Sequence, residues 1–291
     1  MSKHFRPKKY FQPANIQDAL KILNKAPSET KIVAGGTDLL VTKSPETVNL
    51  LDISRLPLSY IRKEGVSTHI GATTNFNTLM ESEHLQKGPL KVISETARAL
   101  GHYNLRHLAT LGGNICNAVP SADSVIPLIA LDSDAVITGL DGDRIVKLED
   151  FFTFVRETVL GEAEILKEII IPNQPPRTGA FFKKIGRTNV DIAIVNAAVR
   201  LTLGNDDTCK EVRIVLGAVA PTLIRAMEAE ALLTGKKLSP ELILEASDVA
   251  ASETIPISDI RAGAEYRREM SGVLVKRALE EAYVRALEDS I

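Results

Sequence analysis

Cysteine is almost missing from this chain. Its 291 residues include two, Cys116 and Cys209, which excludes a disulfide framework and suits a reducing compartment. Two thiolates also fall short of the ligand set of an iron–sulfur cluster. The histidines His4, His69, His84, His102 and His107 show no zinc-like spacing with either cysteine, so no metal site is expected. Neither sign of charge dominates. Lys and Arg total 35 against 37 acidic residues, a formal net charge of −2. That balance argues against bulk nucleic-acid binding and against attachment to anionic membranes. No apolar run is long enough to span a bilayer, and no leader-type run follows the basic start MSKHFRPKKY. The expectation is a soluble, cytoplasmic protein. Neither G-x-G-x-x-G nor G-x-x-x-x-G-K-S/T occurs, which removes the Rossmann and P-loop fingerprints. Internal repeats and low-complexity segments are also lacking.

What is present is apolar and patterned. With 44% apolar residues the chain can bury one large core or two to three smaller ones. The segment NIQDALKILNKAP has a capping Asn15 and apolar residues at helical spacing. KIVAGG and VNLLDIS read as strands, which makes residues 1–57 a small α/β unit. A second unit, residues 58–176, opens with YIRKEGVSTHIGATT as two strands about a Glu64-Gly65 turn. Helical patterns follow in NFNTLMES and PLKVISETARAL, then a long polar loop, and later the strand EILKEIIIP. Pro172, Pro175 and Pro176 mark a linker. Beyond it, residues 177–291 read as a three-stranded antiparallel sheet followed by helices. Strands followed by helices, without strict alternation, indicate α+β construction.

Two segments carry the chemistry. KIVAGGTDLLV and TLGGNICNAVPSADS each hold a glycine pair among hydroxyl, amide and acidic residues. Paired glycines permit positive φ, so successive N–H groups can converge on an anion, and the missing Cβ lets a phosphate approach. Thr37 and Thr110 add hydroxyls, and a helix beginning after either loop would add its dipole. Asn114 and Asp123 offer an amide and a carboxylate to a ribose or a ring edge. A pyrophosphate held between two facing loops fits this pattern. Tight turns, with Asp38 and Asn114 capping helices, fit it as well.

The same two segments resemble the paired signatures of the FAD-binding medium subunits of molybdenum hydroxylases, a family that includes bacterial xanthine, carbon monoxide and nicotinate dehydrogenases. The similarity extends through GHYNLRHLAT, FFKKIGRTNVDIAIV, GAVAPTLIRA and DIRAGAEYRREMSGVLVKRAL. It implies a two-subdomain FAD-binding fold of the PCMH type followed by a carboxy-terminal α+β domain. FAD, bound noncovalently, would lie between the two subdomains. By resemblance, Lys31, Ile32, Val33, Ala34, Gly35, Gly36, Thr37 and Asp38 would wrap the pyrophosphate, with backbone amides of Ala34 to Thr37 as donors. Ala109, Thr110, Leu111, Gly112, Gly113 and Asn114 would form the facing loop. Asp123 would bond near the ribose or adenine, Ile165 and Leu166 would line the flavin pocket, and Lys183 would reach the flavin.

Pattern alone explains several of these otherwise. Ile165 and Leu166 read as core, Lys183 as part of a solvated basic face with Lys184 and Arg187, and His102 and His107 as structural. Cys116 reads as a small buried apolar residue. Some relatives carry a cysteine-bearing insertion for an extra cluster, which this chain lacks. NAD-using relatives have a more acidic loop where this sequence reads GRTNVDIA, with Val190 beside Asp191. The resemblance further implies a large molybdopterin-binding partner and a small partner with 2Fe–2S clusters, assembled as a dimer of heterotrimers. This chain would be their electron outlet, with no catalytic side chain of its own. A self-contained flavin oxidase or reductase, and a non-enzymatic nucleotide-binding module, remain open on the residues alone.

Overall fold

The computed structural model describes residues 7–42 and 48–288. The basic start through Arg6, with His4, lies outside the described residues.

The chain begins with β1 (Tyr10–Phe11), α1 (Ile16–Lys25), β2 (Thr30–Val33), α2 (Leu39–Thr42) and β3 (Asn49–Asp52). Asn15 caps α1, its side-chain oxygen accepting from the Asp18 amide at 2.9 Å. Ala19, Leu20 and Leu23 then share one buried face. That face packs on a small parallel sheet of order β1-β3-β2. The apolar run of β3 is buried along its length, as a central parallel strand requires.

Next come β4 (Ile61–Glu64), β5 (Ser67–Gly71), α3 (Phe76–Glu81), α4 (Lys91–Ala99), α5 (Tyr103–Leu108), α6 (Leu111–Cys116) and α7 (Val125–Ala130). They are followed by β6 (Asp134–Gly139), β7 (Gly142–Lys147), the hairpin β8 (Phe152–Phe154) and β9 (Glu157–Thr158), and β10 (Ile165–Pro172). The five-stranded antiparallel sheet has the order β4-β5-β10-β6-β7. Its central strand β10 crosses from the first core, through Ile165, to the second, through Leu166 and Ile169. The long polar loop of the sequence is in fact partly helical. Helix α6 lies inside TLGGNICNAVPSADS, which reads as a loop, and α5 lies just before it, in GHYNLRHLAT, to which the sequence assigns no element.

The last part holds β11 (Thr178–Ile185), β12 (Val195–Leu203), β13 (Cys209–Gly217), β14 (Ile224–Arg225), α8 (Met227–Leu233), α9 (Pro240–Ser252) and α10 (Ala264–Glu288). The expected three-stranded sheet has four strands, in the order β11-β12-β13-β14. The extra edge strand is two residues long, too short to show a period, and Arg225 is anchored by Glu230 at 2.6 Å and Glu149 at 3.1 Å. Helix α10 crosses this sheet so closely that a Cβ on Gly179 would lie 2.0 Å from the Ala282 carbonyl oxygen. Its packing face is correspondingly small: Ala278, Ala282 and Ala286 are fully buried.

Further polar links join the second and third parts. Asp123 accepts from Lys184 at 2.8 Å and from Asn196 at 2.7 Å. Glu95 pairs with both terminal nitrogens of Arg285, at 2.8 and 3.0 Å. The Ala218 amide donates to the Pro120 carbonyl at 2.7 Å.

Candidate functional site

The first glycine segment leaves the end of β2 and meets the second, between α5 and α6. Gly35 lies against the Leu108–Ala109 backbone, where an added Cβ would be 1.9 Å from the Leu108 oxygen. Gly112 lies against Ala72, whose oxygen and Cβ would both be 2.7 Å from a Cβ there. The glycine pairs therefore allow three backbones to converge. Positive φ is needed only at Gly36, at +68°. Gly35, Gly112 and Gly113 have ordinary φ, so one of the four paired glycines uses the positive φ that the pairs permit.

Between the segments lies a cleft of about 380 Å³. Lys31 to Asp38 form one wall, and Ala109, Thr110, Gly112, Gly113 and Asn114 face them, with Ile165 and Leu166 at the base. Leu111 is not part of the lining. It turns into the second core and is fully buried.

The two walls present different chemistry. The Gly35, Gly36, Thr37 and Asp38 amides donate to no protein group among the described residues; the neighbouring bonds run from Leu40, Val41 and Thr42 back to Gly36 and Asp38. Consecutive unpaired N–H groups beside a positive-φ glycine form an anion-binding concavity. Across the cleft every amide of the first turn of α6 is engaged. Leu111 donates to Thr74, Gly112 to Ala72 and Asn114 to Thr110, all backbone carbonyls. Gly113 donates to the Thr110 hydroxyl oxygen at 3.1 Å. That wall offers the Thr110 hydroxyl proton, the Asn114 amide and a surface without side chains. Gly113 is exposed there, and Ser124 donates to the Asn114 side-chain oxygen at 2.7 Å.

Asp123 is not in the cleft lining. It is buried, with both oxygens occupied by Lys184 and Asn196, and joins the second and third parts of the molecule. Burial pushes its carboxyl upward in pKa, while the Lys184 ammonium and the Asn196 amide pull against that shift. Lys183 is exposed and faces a second cavity, lined also by residues of α4 and α5. Adjacent residues of a strand point to opposite faces, so Lys184 turns inward and Lys183 outward. His102 caps α5, its Nδ1 accepting from the Leu105 amide at 3.4 Å, and His107 stacks on Tyr103.

Cys116 corrects the expectation of a buried residue: it is exposed and lines the cleft. On α6, Gly113, Cys116 and Asn117 share one face at helical spacing, whereas Leu111 and Ile115 share the buried one. Arg156, at the tip of the β8–β9 hairpin, also reaches the cleft and donates to the Asn117 side-chain oxygen at 2.9 Å. No sequence pattern marked Arg156. Its one signal is a backbone φ of +63°, visible only in the fold. Among the described residues, no group of His, Cys, Asp and Glu converges as a metal site, and no helix is long and apolar enough to cross a membrane.

Comparison with known families decides what this cleft belongs to. Residues 3–174 match the FAD binding domain in molybdopterin dehydrogenase, and residues 180–282 match the CO dehydrogenase flavoprotein C-terminal domain. The chain belongs to this flavoprotein family. It is an FAD-binding oxidoreductase subunit of the medium-chain type. It is 33% identical over 280 residues to the carbon monoxide dehydrogenase medium chain of Hydrogenophaga pseudoflava, covering 95% of this chain and 97% of that one. It is 30% identical to the xanthine dehydrogenase FAD-binding subunit of Escherichia coli O157:H7, covering 95% and 96%. The solved carbon monoxide dehydrogenase from Hydrogenophaga pseudoflava superposes with a TM-score of 0.92 at 34% identity, over 96% of this chain and 98% of that one. Quinoline 2-oxidoreductase from Pseudomonas putida 86 shares the fold with a TM-score of 0.90 at 24% identity, over 99% and 100%.

Proposed function

We propose that this chain binds FAD noncovalently in the cleft and serves as the electron outlet of a molybdenum hydroxylase. The observation that carries the reading is the row of unpaired amides from Gly35 to Asp38 across the cleft from the bare Gly112–Gly113 stretch of α6. Those donors suit a pyrophosphate, and the close approach of Gly35 to the Leu108 backbone and of Gly112 to Ala72 holds the two walls of the cleft together. FAD held there supplies the exchange of electrons between one-electron and two-electron partners. The chain's own residues bind and orient it. Gly35 to Asp38 would hold the pyrophosphate, Thr110 and Asn114 would bond polar edges, and Ile165 and Leu166 would keep water from an apolar surface. No side chain is assigned a proton-transfer role.

In this reading a small partner subunit delivers electrons from 2Fe–2S clusters, and a large molybdopterin-binding partner oxidises the substrate. The three kinds of chain would assemble as a dimer of heterotrimers in the cytoplasm. The division into residues 1–57, 58–176 and 177–291 belongs to the same proposal: two subdomains to hold FAD, and a third body joined to the second through Asp123 and Lys184.

The purified chain should release about one FAD per copy on denaturation, and FMN in its place, or no flavin after reconstitution, would contradict the reading. Substrate-dependent dye reduction by this chain alone, free of molybdenum and iron, would instead favour a self-contained flavin enzyme.

A further inference from the structure

The end of α6 and the tip of the β8–β9 hairpin meet beside the cleft, and two left-handed residues make the contact. Ala118 has a φ of +47° and Arg156 one of +63°, a region that side chains other than glycine seldom enter. The Arg156 amide donates to the Ala118 carbonyl at 2.8 Å, and its guanidinium donates to the Asn117 side-chain oxygen at 2.9 Å. The arm that carries Arg156 is fixed at its base. Phe151 is fully buried, and the Val159 amide donates to the Phe151 carbonyl at 3.0 Å. The guanidinium itself is exposed and lines the cleft. Asn117 orients it without cancelling its charge, and no carboxylate pairs with it among the described residues. One exposed bond to a neutral amide adds little to stability, so the fold alone gives small reason for left-handed backbone at an arginine.

The charge balance of the cleft supplies a reason. Lys31, Asp38 and Arg156 are the ionic side chains of its lining, and together they carry one positive charge. The unpaired amides from Gly35 to Asp38 are dipoles with no net charge, whereas a diphosphate brings two negative charges. Lys31 and Asp38 stand on the same wall as those amides, and Arg156 stands beside α6, held in place by a neighbouring side chain. We infer that Arg156 is a cofactor-positioning residue, its guanidinium aimed by Asn117 and the hairpin turn at the diphosphate charge. The donors that Asn117 leaves free suit phosphate oxygens in the planar, forked manner of arginine, which lysine does not reproduce. Asn117 acts by orienting the guanidinium. The inference rests on the reading that FAD occupies the cleft, and it adds a charged contact to the neutral amides of the glycine wall.

The test is equilibrium binding of FAD, ADP and adenosine to the flavin-free full chain, with the melting temperature recorded beside each affinity. Arg156→Gln should weaken FAD and ADP by a similar factor, about tenfold or more, as expected when a hydrogen bond between charged groups is lost. Adenosine, which has no phosphate, should bind as it does to the parent, and the flavin-free melting temperature should not move. Arg156→Lys should recover part of the loss, since it keeps the charge without the fork. The salt dependence of ADP binding should be shallower in Arg156→Gln than in the parent. Asn117→Ala should cost less than Arg156→Gln and add nothing to it in the double variant, because the amide acts through the guanidinium. Unchanged ADP affinity in Arg156→Gln would overturn the inference. So would equal losses for ADP and adenosine, which would place the guanidinium at the base, or a lower melting temperature with the ADP-to-adenosine ratio preserved, which would make Arg156 structural. Where Arg156→Gln does not fold, Arg156→Lys decides, and an ADP affinity equal to the parent's would overturn the inference. A parent chain that binds neither FAD nor ADP would defeat the reading of the cleft, and this inference with it; a parent that binds both, with Arg156→Gln unchanged, would defeat this inference alone.

Discussion

The amides of Gly35, Gly36, Thr37 and Asp38 donate to no protein group among the described residues, whereas those of Leu111, Gly112, Gly113 and Asn114 are all engaged within the fold. The two segments look alike in sequence, each a glycine pair followed by small polar residues. A glycine pair announces only that Cβ is missing. One segment uses that absence to turn the backbone at positive φ and expose donors. The other uses it to wind a short helix against Ala72 and leave a bare wall. Gly35 links them, because its missing Cβ is what lets the donor segment touch the packing segment.

Substitutions can separate these roles. The largest effect is expected at Gly35→Ala, where the new methyl would lie 1.9 Å from the Leu108 oxygen and 2.6 Å from its carbonyl carbon. Backbone cannot yield as a side chain does, so the loss should reach or exceed about 1–3 kcal/mol. The flavin-free chain should melt at a lower temperature and FAD should be lost with it; unchanged melting would show that the two segments do not meet as described.

Gly36→Ala should act locally. Its φ of +68° disfavours any Cβ, and the nearest obstacle is the flexible Leu40 side chain at 2.9 Å. The strain is about 1–2 kcal/mol. FAD affinity should fall further than the melting temperature does, since the turn aims the free amides. Equal losses in both would make Gly36 a fold residue rather than a donor-orienting one.

Gly113→Ala is expected to matter least. Only the Thr110 hydroxyl oxygen, at 2.9 Å, stands near its Cβ, and its φ is ordinary. Alanine favours a helix interior by about 0.8–1.0 kcal/mol over glycine, so the flavin-free chain should melt no lower than the parent. FAD should bind somewhat more weakly, because a methyl now stands in the cleft. A clear drop in flavin-free stability would assign Gly113 to packing instead.

Much of this was legible in the residues, and the misses have physical causes. Asn15 and the apolar spacing behind it placed α1, and the Glu64-Gly65 turn placed β4 and β5. The glycine pairs located both walls of the cleft, whereas Ile165 and Leu166, which also line it, read as core on pattern alone and are assigned to a pocket only by resemblance. Helix α6 was hidden because glycine is a poor helix former, and tertiary bonds to Thr74 and Ala72 override that propensity. Asp123 reads as a ligand because it lies in a polar segment, yet its partners Lys184 and Asn196 arrive from strands far along the chain. Arg156 shows the same limit: a hairpin brings it to the cleft, and no local pattern encodes where a hairpin tip will lie.

The most direct test of the account is residue-resolved amide hydrogen exchange of the chain with and without FAD. The account predicts fast exchange at Gly35 to Asp38 in the flavin-free chain and strong protection once FAD is bound, with Leu111 to Asn114 protected in both states. Protection gained at Leu111 to Asn114, with Gly35 to Asp38 unchanged, would contradict it.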